Sequence, residues 1–169
     1  MTGPGLTLAG IALVLVILWA NLRPWWKSDR DPAKLKSFGT GSLLGALSTM
    51  CGGGLLGYIA GCAAGAANTG GGKAVAGATG QQAGAPVTTG DLGSLTPEGA
   101  VVVFLLTCGT IFAFRAAGRD ERKRMVGGVF CGVCLCLTAG VANALSWLPG
   151  LINGAGAQLI TAVQGVGLL

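Results

Sequence analysis

Apolar residues run through this chain in long uncharged blocks separated by short basic stretches, and that alternation predicts its elements. The blocks are residues 6–22, 38–67, 99–115 and 125–147, with Arg115 the one charged residue, at the very end of the third. An ionised side chain at mid-bilayer costs about 2.5–3.5 kcal/mol on insertion scales, and a helix needs about 20 apolar residues to cross the hydrocarbon. The pattern therefore predicts an all-α integral membrane protein, one membrane domain over residues 1–169 with about four transmembrane helices. Residues 68–98 are glycine-rich, carry only Lys73, Asp91 and Glu98, and read as an external loop. At its end, Thr96-Pro97-Glu98 has the cap, first-position proline and first-turn acid of a helix start. Residues 151–169 read as an amphipathic C-terminal helix, interfacial or a fifth span, with Leu151, Ile152, Ala155, Leu159, Val163 and Val166 on one face.

Charge adds direction. Eleven Lys and Arg against six Asp and Glu give a net charge of +5. One basic cluster holds Arg23, Lys27, Arg30, Lys34 and Lys36; the other holds Arg115, Arg119, Arg122, Lys123 and Arg124. Cytoplasmic loops collect Lys and Arg, so both clusters are expected inside the cell membrane and both chain ends outside. Four crossings satisfy this arrangement. The segment before residue 6 has no charged side chain, and Arg23-Pro24-Trp25-Trp26-Lys27 follows the first block. That order fits a retained anchor rather than a cleaved signal. Trp19, Trp25, Trp26 and Trp147 stand where interfacial aromatics belong.

Glycine supplies 32 of 169 residues, almost three times its usual share of about 7%. Gly53, Gly57, Gly61 and Gly65 recur every fourth residue and so line one helical stripe; Gly41 and Gly45 make a similar pair earlier, and Gly128 and Gly132 another in the last block. Each glycine costs a helix interior about 0.8–1.0 kcal/mol relative to alanine. Close approach of a second helix offsets that cost, so the stripe predicts glycine-zipper packing and self-association into a homo-oligomer.

Candidate chemistry is sparse. The chain has no histidine, and its six cysteines all fall within the apolar blocks. Cys131 and Cys134 share a helical face but Cys136 points away from them, which makes small apolar fillers the expected role, with no metal and no cofactor. Gly70-Gly71-Gly72-Lys73 lacks the Ser or Thr that a phosphate-binding P-loop requires after its lysine. No nucleophile, base and oxyanion donors come together in the pattern, so the expectation is a non-enzymatic membrane component.

The apolar start, Arg23-Pro24-Trp25-Trp26-Lys27, Asp31-Pro32 and the Gly/Ala-rich block with Cys51 and Cys62 together resemble small integral membrane proteins of actinobacterial mobile elements, among them plasmid-spread proteins. The resemblance covers the first half of the chain and lies in its layout. It implies a structural or pore-forming part in conjugal DNA transfer. The partners would be membrane lipids, further copies of the chain, and a DNA translocase or DNA at Arg23, Lys27, Arg30, Lys34, Lys36, Arg119, Arg122, Lys123 and Arg124. A phage holin-like pore protein and a pilin-like filament subunit, with two apolar helices around a basic loop, are the competing classes.

Overall fold

The computed structural model describes residues 5–27, 32–82, 84–87 and 90–165, and among these the architecture is all-helical. Seven helices follow in order: α1 (Leu8–Lys27), α2 (Pro32–Thr49), α3 (Gly54–Thr79), α4 (Pro97–Ala116), α5 (Arg119–Cys136), α6 (Ala139–Ala144) and α7 (Leu148–Gly165). Two of them, α1 and α4, are each long and apolar enough to cross a membrane, and the bent pair α2–α3 would make a third crossing if counted as one span. These two correspond to the first and third apolar blocks.

The second block is not one helix. The axis turns by 104° between α2 and α3. The hydroxyls of Ser48 and Thr49 donate back to the carbonyls of Gly45 and Ala46, both at 2.7 Å, and the Met50 N–H turns to Leu47, loosening the last turn of α2. Three glycines follow, and Gly54 has φ +69°, a left-handed setting that L side chains disfavour. Helix α3 then runs on to Thr79, so the first part of the expected external loop is helical; Gly80, again left-handed at φ +72°, stops it.

The last blocks also divide differently. Helix α5 starts earlier than expected, at Arg119, and ends at Cys136. There the Thr138 hydroxyl takes the Leu135 carbonyl (2.6 Å) and the Gly90 N–H takes that of Leu137 (2.6 Å). The expected 125–147 span is thus α5, a break and the short α6. The tail helix begins at Leu148 and buries Leu148, Ile152 and Gly156, leaving Leu151 and Leu159 exposed; Val166 lies outside the described residues.

Helix α5 is the hub. Its closest neighbour is α2, and the two run parallel. A side chain at Gly41 would strike the Met125 carbonyl, and one at Gly45 the Val129 carbonyl. From the other side, Gly128 faces the Phe38 carbonyl and Gly132 that of Ser42. These contacts are reciprocal. The shift along the sequence that carries Gly41 onto Gly128 also carries Gly45 onto Gly132, Phe38 onto Met125 and Ser42 onto Val129. The seam therefore has the self-complementary form of a two-fold interface, inside one chain.

The match extends outward. Before α1, Asn68 Oδ1 accepts from the Thr7 N–H (2.8 Å) and hydroxyl (3.2 Å), its Nδ2 donates to the Gly5 carbonyl (2.9 Å), and Thr7 Oγ1 caps Gly10 N–H (3.1 Å). Before α4, Asn153 Oδ1 accepts from the Thr96 N–H (3.0 Å) and hydroxyl (3.3 Å), its Nδ2 reaches the Ser94 carbonyl (3.5 Å), and Thr96 Oγ1 caps Gly99 N–H (3.2 Å). Gly71 lies against the backbone of Ala9 and Gly10 as Gly156 lies against that of Glu98 and Gly99. Two matching units result, α1–α3 and α4–α7, each with an antiparallel helix pair whose ends meet at basic residues and a third helix clasped to the start of the first by an asparagine.

The glycine stripe of α3 is not part of this packing. The buried face of α3 is Ala60, Ala64, Ala67 and Gly71, one residue round from the stripe. Gly53, Gly61 and Gly65 meet nothing within 4 Å, and Gly57 faces only the carbonyl of Cys51 just before its own helix. Adjacent stripes of small residues offer α3 two equivalent faces, and the methyl-bearing one buries more surface.

Leu at Gly45 or Gly132 must collide with backbone, and each change is expected to cost at least about 3 kcal/mol in detergent unfolding. Leu at Gly61 or Gly65 should fall within about 0.5 kcal/mol of wild type for the single chain. Asn68→Ala and Asn153→Ala should each cost about 1–2 kcal/mol, by similar amounts, since each removes the same three hydrogen bonds.

Candidate functional site at the basic end of the bundle

Helix register decides where the charges go. Helix α1 runs antiparallel to α5, because the Cys131 thiol points at the Val14 carbonyl (3.9 Å) while Asn21 lies over Gly127. Helix α4 runs antiparallel to α2, with Leu47 near Leu105 and Leu106 at one end and Lys36 near Ala116 and Ala117 at the other. The end of α1, the starts of α2 and α5 and the end of α4 therefore lie at one end of the bundle. That end carries Arg23, Lys27, Lys36, Arg115, Arg119, Arg122, Lys123 and Arg124, diluted by Asp120 and Glu121. Arg30 and the side chain of Lys34 lie outside the described residues.

The turn between α4 and α5 is built locally. Glu121 accepts from the Gly118 N–H (3.1 Å), satisfying a donor at the start of α5. Arg122 folds back to donate to the carbonyls of Ala117 (2.9 Å) and Arg115 (2.7 Å), closing the C-terminus of α4, and its guanidinium lies 5.5 Å from the centre of the Phe114 ring. Arg122 is thus engaged in holding the turn, while Arg119 and Lys123 project into solvent. On α1, Arg23 sits 5.2 Å from the centre of the Trp19 ring, and Trp25 and Trp26 meet edge to face. Two helix N-termini and two C-termini meet at this end, so the helix dipoles largely cancel and the side-chain cations set the field.

Elsewhere the chemistry is spare. Cys131 and Cys134 belong to the apolar cluster around Val14 and Ala64; Cys136 belongs to the second cluster, around Leu47 and Val103. The Cys134 thiol points to the Ala63 carbonyl at 3.8 Å. Among the described residues no three His, Cys, Asp or Glu side chains gather to hold a metal. Gly128 and Gly132 are brought to the central seam with Gly41 and Gly45, whereas Gly53, Gly61 and Gly65 face outward. Hydropathy and charge do not single out Asn68 and Asn153 as organising residues. Their signal is the recurrence of Leu-Thr-x-x-Gly at Leu6–Gly10 and Leu95–Gly99, with Asn-x-x-Gly at Asn68–Gly71 and Asn153–Gly156.

The fold and its charge distribution define the class as an all-helical protein with helices fit to cross a membrane and a cationic end. No protein family matches the chain, and neither the curated proteins nor the solved structures contain a match.

In a cysteine-free background, cysteines at Lys27 and Arg119 are expected to react with an impermeant thiol reagent from the same side of the membrane, and a cysteine at Asp91 from the opposite side. Labelling of Lys27→Cys and Arg119→Cys from opposite sides would contradict the convergence of the two basic turns.

Proposed function

We propose that this chain is a small integral membrane protein of the cell membrane that crosses it four times, through α1, α2, α4 and α5, with both ends outside. We further propose that it serves as a structural or pore-forming component of a conjugal DNA-transfer apparatus. The observation that carries the reading is the meeting at one end of two basic clusters far apart in sequence. The uncharged parts of α2 and α5, residues 37–49 and 125–136, extend about 18–20 Å at 1.5 Å per residue beside α1 and α4, the two helices long and apolar enough to cross alone. With the basic end in the cytoplasm, the Lys and Arg excess falls where orientation rules require it. The sharp turn after α2 then lays α3 along the outer interface, with Leu55, Tyr58 and Ile59 exposed toward lipid or a neighbour.

Self-association belongs to the same proposal. The outward stripe of Gly53, Gly61 and Gly65 gives a second copy a face without side chains, and a pore would be formed between copies. In the cytoplasm, Arg119, Lys123 and Lys27 are free to meet DNA phosphates or the acidic surface of a translocase, with Trp26 exposed beside them.

The test is DNA binding by the detergent-solubilised protein across a salt series. Affinity should fall with salt, with a log–log slope of about −0.7 to −0.9 per phosphate neutralised. Replacing Arg119 and Lys123, the residues of this turn free in solvent, with Gln should weaken binding several-fold and make the slope shallower by about 1.4–1.8. Unchanged affinity and slope would remove this turn from any role in DNA contact.

A further inference from the structure

The two matching units are unequal in one place. In the first, α1 seats Val14, Ile17 and Leu18 on the core around Cys131, and Asn21 over Gly127. The shift that carries Thr7 onto Thr96 puts Leu106, Thr107 and Thr110 of α4 where α1 has Ile17, Leu18 and Asn21. It also puts Gly109 and Ala113 where α1 has Ala20 and Pro24. Of these, Thr107, Gly109 and Ala113 are smaller than their counterparts, and a groove runs between α2 and α4. One hollow of about 250 Å³ is walled by Thr40, Leu44, Leu47, Gly109, Thr110 and Ala113. A second, of about 170 Å³, continues it past Leu44 and Thr110 toward Val126, and a third, of about 220 Å³, continues it past Thr40 and Ala113 to Lys36 at the basic end.

The walls are apolar in effect as well as in composition. The Thr40 hydroxyl donates to the Ser37 carbonyl (3.0 Å) and that of Thr110 to the Leu106 carbonyl (2.8 Å), so both threonines spend their hydroxyls on their own helices. At the mouth, Lys36 lines the hollow together with Glu121, which accepts from the Gly118 N–H, and the excess of Arg115, Arg119, Arg122, Lys123 and Arg124 over Asp120 and Glu121 makes this end attractive to an anion. An occupant must be apolar along its length and anionic at the basic end. It must also be thin: Leu47 and Val103 still share one buried cluster, so α2 and α4 part only partway, and a helix about 10–12 Å across does not enter.

We infer that the groove between α2 and α4 is a binding site for one acyl chain of an anionic phospholipid, with its phosphate at Lys36. The inference rests on the membrane placement of α2 and α4 alone, and is independent of any role in DNA transfer.

The test uses the full chain in nanodiscs with equal amounts of phosphatidylglycerol and phosphatidylcholine, either one carrying a photoreactive acyl chain, and maps the labelled residues by mass spectrometry. Adducts are expected on the groove walls of α2 and α4, more from phosphatidylglycerol. Lys36→Gln should reduce that preference about fivefold without moving the adducts. Filling the groove with Gly109→Leu and Ala113→Leu should remove the groove adducts while helix content by circular dichroism stays unchanged. If this variant does not fold, the wild-type map and Lys36→Gln decide the matter. Adducts confined to the outer faces around Phe104 and Phe112, or equal labelling by the two lipids, would overturn the proposal. So would capture of a second chain by a photoreactive side chain placed at Thr110.

Discussion

Bare backbone on bare backbone holds this protein together. Gly41 and Gly45 of α2 meet the carbonyls of α5, and Gly128 and Gly132 of α5 meet those of α2, with no side chain between. This closeness allows dense van der Waals contact along the seam, the form of attraction that holds helices together where the hydrophobic effect does not act. Any side chain at these four positions pushes the axes apart along their whole length. The helices are parallel, so no short turn can join them. The chain returns from the end of α2 to the start of α5 through α3, a glycine-bearing loop and α4, and these become the outer parts of the fold.

Parallel packing also explains the charge distribution. Each unit has its basic residues where an antiparallel helix pair meets, and a two-fold relation about an axis along the helices puts both basic stretches at the same end. Repeats related in this way enter and leave a bilayer in the same sense. The cations near the ends of α1 and α4 and the acids Asp120 and Glu121 at the start of α5 each complement the local helix dipole. What distinguishes the units is side-chain volume. Leu148 and Ile152 of α7 stand where α3 has Ala63 and Ala67, and α4 is slimmer than α1 along the inner groove.

Helices α1 and α4 were legible because basic residues or a proline cap bound an apolar run on at least one side. The turn after α2 was not, since an uncharged run has the same hydropathy straight or bent; Gly52-Gly53-Gly54 carried the signal but also continued the four-residue glycine rhythm. Within α3 the alanines at 60, 64 and 67 lie one step from the glycines at 61 and 65. Spacing alone gives both faces equal standing, and contact with α1 and α5 selects the alanines. Gly128 and Gly132, by contrast, sit among bulkier neighbours, so their small size could only serve close approach. The paired Thr–Asn clasps were readable as a repeat, though only by aligning the chain with itself.

The direction of α5 relative to α2 is the central claim, and pulsed electron spin resonance between two nitroxide labels reads it directly. In a cysteine-free background, one label is placed at Lys36, and the second at either Lys123 or Thr138, which bracket α5. The parallel seam predicts a clearly shorter distance for Lys36 with Lys123 than for Lys36 with Thr138. The reverse order, or two equal distances, would contradict the glycine seam and with it the common basic end.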